Sequence, residues 1–94
     1  MSRYTLKPIK PEHHDYEIIV GWDGTLASFF GEVRRPPDND FAFGGDVELS
    51  IVPLNAPIDT AFNTVINAIS EYAVIDRNLR ATLWADSEKR GITA

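Results

Sequence analysis

An α+β domain is predicted, an antiparallel sheet of three to four strands followed by two C-terminal helices packed on one face. Three observations predict it. Apolar residues alternate at period two only before Pro53, they recur at three- and four-residue spacing only after Pro57, and turn residues fall between the two regions. Strand runs followed by helix runs specify that class rather than an alternating parallel one. At 94 residues the chain makes one domain. Residues 1–15 read as a partly irregular arm, 16–53 as the sheet and 59–90 as the helices.

The organising stretch is Tyr16 to Arg35, YEIIVGWDGTLASFFGEVRR. Tyr16, Ile18, Val20 and Trp22 alternate with Glu17, Ile19, Gly21 and Asp23, which places the first set on one face of a strand. Asp23-Gly24 supplies the positive φ of a tight hairpin turn, with Gly24 as the left-handed residue. A second run, Leu26 to Val33, returns with Phe29 and Phe30 adjacent. An isolated hairpin is marginal in water, so the rest of the chain must cover its apolar face.

Ahead of the hairpin, Arg3 to Lys7 forms a short edge strand with Tyr4 and Leu6 on one face. Pro8 and Pro11 stop it. After Val33, the stretch Arg34-Arg35-Pro36-Pro37 opens an acidic loop that carries Phe41 and Phe43 and ends at Gly44-Gly45. Val47, Leu49 and Ile51 alternate with Glu48, Ser50 and Val52 as the next strand, ended by Pro53. Asp59 or Thr60 is the expected N-cap of the first helix. Its stripe is Ala61, Phe62, Val65, Ile66, Ile69, Tyr72 and Ala73. Val74-Ile75 breaks that pattern and Asp76 caps a second helix. Leu79 and Leu83 share a face there, Lys89 and Arg90 suit its last turn, and Gly91 follows as the C′ residue. The expected core is Tyr16, Val20, Phe29, Leu49, Ile51, Phe62, Val65, Ile66, Ile69, Leu79 and Leu83.

Charge and composition bound the function. The net charge is -5 and the pI about 4.8. Phosphate contacts need clustered Lys and Arg, so direct nucleic-acid binding is not expected. The acidity favours a protein partner with a basic surface. With no cysteine there is no disulfide, thiol nucleophile or zinc-thiolate site, which fits a cytoplasmic location. No apolar run approaches the ~20 residues of a membrane span, so no membrane partner is expected.

No catalytic, cofactor-binding or metal-ligating constellation emerges, and the chain reads as a non-enzyme. His13 and His14 are adjacent on an extended, solvated approach to the hairpin and point to opposite sides, which sets them apart as ligands. Asp38, Asp40, Asp46 and Glu48 miss the calcium-loop spacing: counting from Asp38, Phe43 stands where glycine belongs and Leu49 where glutamate belongs. Ser28 and Ser50 lack a nucleophile elbow. Gly44-Gly45 lacks Walker or Rossmann spacing. Glu32 and Glu48 are ordinary sheet-face carboxylates. Arg34-Arg35 and Arg77 with Arg80 make two small basic spots. The expected partner contacts are Phe41 and Phe43 as anchors, with Asp38, Asp40 and Asp46 as steering charges.

The order YEIIVGWD, SFFGEV, a polar loop, EYAVI, and Leu79 and Leu83 followed by Ala85-Asp86 resembles a group of small uncharacterised bacterial proteins. They share a Tyr-Glu-aliphatic-Val-Gly-Trp-Asp hairpin, an aromatic second strand and a Pro-Tyr-Ala-x-Ile-Pro junction. The resemblance spans about Tyr16 to Asp86. Glu71 and Asp76 stand where the group has proline, and the later strand lacks its Trp-x-Gly. The group is linked loosely to plasmids, phage and conjugative elements. No activity is established for it, so the resemblance assigns no functional residue. Small size, acidity, the lack of a catalytic constellation and the aromatic-bearing acidic loop favour a small protein-binding or regulatory protein, with an accessory or counter-defence inhibitor of a mobile element as its expected setting. A self-associating module pairing through its first strand is the alternative, ahead of a small-ligand binder or enzyme.

Overall fold

The computed structural model describes residues 2–36 and 47–88. Within them, β1 (Ser2–Leu6), β2 (Glu17–Asp23), β3 (Ser28–Arg34) and β4 (Val47–Ile51) form one antiparallel sheet in sequence order. Helices α1 (Ile58–Ile69) and α2 (Arg77–Glu88) follow and cover one face. The α+β class and the order of elements are as predicted.

Register decides what each face carries. Ile18, Val20 and Trp22 of β2 lie opposite Val33, Gly31 and Phe29 of β3, and opposite Leu6, Tyr4 and Ser2 of β1. These residues face the helices. Ile18, Val20, Phe29 and Val33 are fully buried there with Val65 and Ile69 of α1 and Leu83 of α2. Each such large side chain contributes about 1.5–3 kcal/mol on burial. Tyr16, Leu49, Ile51, Phe62 and Leu79 pack around this core but stay half-buried. The expected list omitted Ile18, Trp22, Val33, Ala61, Ala73 and Ile75, all of them buried.

The hairpin differs from expectation at its turn. Four residues, Gly24 to Ala27, connect the strands, and Asp23 pairs with Ser28. The left-handed residue is Ala27, φ 51°, and not Gly24. The Asp23 carboxylate accepts the backbone N–H of Thr25 at 2.9 Å and of Leu26 at 3.3 Å. This Asx turn winds the chain right-handedly first and postpones the positive φ to the last loop residue. Packing favours that solution. A two-residue turn at Asp23-Gly24 would set Ile18 opposite Phe29 and Tyr16 opposite Gly31. The observed register brings Phe29 onto Trp22, ring centroids 5.0 Å apart and edge-on.

Helix α1 starts earlier than expected. Pro57 holds the N-cap position with no side-chain cap, and Asp59 lies in the first turn, where its charge suits the dipole. It also stops at Ile69, so Tyr72 and Ala73 belong to the interhelical turn. The second helix is capped as predicted, the Leu79 N–H donating to Asp76 Oδ1 at 2.7 Å.

The N-terminal arm is pinned rather than solvated. Pro8 bridges Ala73, and the Ile9 N–H donates to the Tyr72 carbonyl at 2.9 Å. A 3-10 turn, Pro11–His13, then stacks the His13 ring on Tyr16 at 4.5 Å and beside Tyr72 at 5.5 Å. His14 alone of the pair is exposed. The sequence reading of both histidines as a solvated approach is therefore corrected for His13.

Candidate functional site on the open sheet face

The face of the sheet turned away from the helices carries Arg3 and Thr5 of β1, Glu17, Ile19 and Gly21 of β2, and Phe30, Glu32 and Arg34 of β3. Period two makes this assignment, since each residue alternates with one that faces the core. Among the described elements none lies across it.

Its centre is Phe30 opposite Gly21. A Cβ on Gly21 would clash with the Ser2 carbonyl oxygen of β1 and stand 2.8 Å from the Phe30 ring, so both the neighbouring strand and the ring close on the glycine backbone. This is the glycine position whose missing side chain makes room for an aromatic neighbour. Phe30 remains only half-buried. Beside it a groove of about 220 Å³ is lined by Arg3, Asp23, Leu26, Glu32, Ser50 and Val52. Leu26 is 48% and Val52 36% exposed, so apolar surface is offered to solvent next to two carboxylates.

Charge on this face is mostly paired. Arg34 Nε donates to Glu32 Oε1 at 2.5 Å, and Arg3 stands 3.8 Å from Glu17. At the margin Arg35 Nε donates to Glu48 Oε2 at 2.9 Å. The Arg34-Arg35 spot is thus neutralised, and Glu32 and Glu48 are ion-pair partners. Ile19, by contrast, is buried on this face, between Thr5 and Glu32 in register.

The aromatic residues outside the expected core list divide. Trp22 and Trp84 belong to the core, where Trp84 meets Phe62 edge-on at 5.4 Å and stacks over Phe29 at 6.2 Å. Phe41, Phe43, Asp38, Asp40 and Asp46 lie outside the described residues. Phe30, Leu26 and Val52 were not anticipated as contact residues. A signal for Phe30 existed: of two adjacent phenylalanines in a strand, one must face outward.

Two phenols are perturbed on the helix-covered side. Tyr4 donates to Asp86 Oδ2 at 2.5 Å, and that bond, with burial and the carboxylate's charge, raises its pKa. Burial raises the pKa of Tyr72, and Glu48, Glu71 and Tyr16 add to the effect. Both phenols serve the packing of the helices on the sheet. Among the described residues no cluster of three or more His, Asp or Glu is arranged to hold a metal ion. No helix among them is long and apolar enough to cross a membrane.

No protein-family model, curated protein or solved structure matches this chain.

Proposed function

We propose that this chain is a small acidic protein-binding module whose contact surface is the open sheet face around Phe30. The observation that supports this reading is the half-buried Phe30 ring, flanked by exposed Leu26 and Val52, on a face whose arginines and glutamates are paired. Aromatic anchors inside a polar rim are the usual composition of a protein contact. The net charge of -5, with Asp23 and Glu32 at the groove, suits a partner with a basic surface. An accessory or inhibitory role in a bacterial mobile element is the setting that the sequence resemblance suggests.

Photo-crosslinking tests the reading. A benzophenone amino acid replaces Phe30 or Val52, with Asn63 on the exposed side of α1 as control. The same partner should be captured from positions 30 and 52 and not from 63, and Val52→Lys should abolish capture without shifting the melting temperature. Equal capture from all three positions, or none from 30 and 52, overturns it.

A further inference from the structure

We infer that the chain forms a two-fold symmetric dimer in which the outer edge of β1 pairs antiparallel with β1 of a second copy, joining the two sheets into one. The first observation concerns backbone groups. The Trp22 N–H points toward β1, donating to Ser2 Oγ at 3.2 Å. Antiparallel alternation then assigns the inward hydrogen bonds to Ser2, Tyr4 and Leu6, paired with Trp22, Val20 and Ile18. The N–H and C=O groups of Arg3 and Thr5 point outward, away from β2.

The two edges of the sheet are treated differently. β4 is interrupted by a bulge, since Val33 and Arg34 face Leu49 and Val47 with Glu48 as the extra residue, and Pro53 follows close behind. Bulges and prolines are the devices that block edge pairing. β1 keeps unbroken register from Ser2 to Leu6 and contains no proline.

Charge selects the second copy and its register. A two-fold axis at Arg3 would oppose the arginines of the two chains, and an axis at Thr5 would oppose Arg3 to Lys7. An axis at Tyr4 opposes Arg3 to Thr5, brings the outward backbone groups together and opposes no like charges between the two β1 strands. Asp86 accepts from the Tyr4 hydroxyl, so the C-terminal part of α2 reaches β1 close to this axis. A five-residue edge and one helix flank give less contact than the ~800 Å² per partner of a standard stable interface, so the dimer dissociates on dilution. It is independent of the partner-binding reading, and it places the Phe30 grooves of both copies on one continuous face.

Sedimentation velocity over a range of concentrations tests this. The mass should rise from one chain toward two. Thr5→Pro should remain monomeric with an unchanged circular-dichroism melt, because it deletes only an outward N–H. The chain has no cysteine, so Tyr4→Cys should form a disulfide-linked dimer on mild oxidation faster than Ser50→Cys on the open face. A one-chain mass at every concentration overturns the inference, as does a dimer that Thr5→Pro leaves intact. Should Thr5→Pro not fold, Tyr4→Cys that links no faster than Ser50→Cys overturns it.

Discussion

Gly31 lies directly beneath Ile69: a Cβ on the glycine would fall 2.7 Å from Ile69 Cγ1 and 2.9 Å from its Cδ1. Helix α1 rests on β3 at the one core-facing position of that strand without a side chain, between Phe29 and Val33. Gly31→Ala should therefore destabilise by about 1–3 kcal/mol through overpacking. Ile69→Ala alone should cost about 2–5 kcal/mol. In the double variant the added methyl enters the space that Ile69 vacates, so the costs should fall short of additive. Urea midpoints of the three variants check this, and additive losses would show that the two residues do not share one space.

The hairpin loop predicts an inversion of the glycine rule. Ala27 holds φ 51° while Gly24 does not require a left-handed conformation. Ala27→Gly should leave stability unchanged or raise it by up to about 1 kcal/mol. A Cβ at Gly24 meets only Trp22 Nε1, at 3.8 Å, so Gly24→Ala should be tolerated. Thermal melts separate this from the Asp23-Gly24 turn expected from the sequence, for which Gly24→Ala would be the damaging change.

Alkaline stability follows from the two raised phenol pKa values. In the unfolded chain Tyr4 and Tyr72 lose their protons near pH ~10. In the folded chain the bond to Asp86 holds the proton on Tyr4, and burial holds it on Tyr72, to higher pH. Their contribution is fully present below pH ~10 and is lost as pH rises through the folded values. Denaturant midpoints should be flat toward pH ~10 and fall above it. Tyr4→Phe should cost about 1 kcal/mol at neutral pH by removing the bond to Asp86, and should make the alkaline fall shallower. An unaltered slope would remove Tyr4 from this account.

His13 packs as a ring. Its Nδ1 is buried without a hydrogen-bond partner among the described residues, between Tyr16 and Tyr72. A buried polar atom left unpaired carries a cost. His13→Phe should preserve the stacking and match or exceed the parent's melting temperature, while His13→Ala should loosen the arm. Hydrogen exchange at the Ile9 amide, which bonds Tyr72, reads this directly. Protection lost equally in both variants would mean that the imidazole matters for more than its shape.

The amino-acid order alone determined the class of fold, the strand-then-helix sequence, the common face of Ile18, Val20 and Trp22, the α1 stripe from Ala61 to Ile69 and the Asp76 cap. These are local consequences of periodicity and of side chains that reach their own backbone. Contacts between distant segments decided the rest. A two-residue and a four-residue hairpin loop put the same residues inward, so only Phe29 meeting Trp22 and Ile69 meeting Gly31 select the observed register. Ile19 reads as an outward residue by parity and is buried nonetheless, between Thr5 and Glu32 in register. His13 sits beside Tyr72, 59 positions along the chain, and no local pattern announces that pairing. The candidate surface follows the same division. Adjacent phenylalanines in a strand require one to face outward, but it took the helices choosing their side of the sheet to leave Phe30 on the open one.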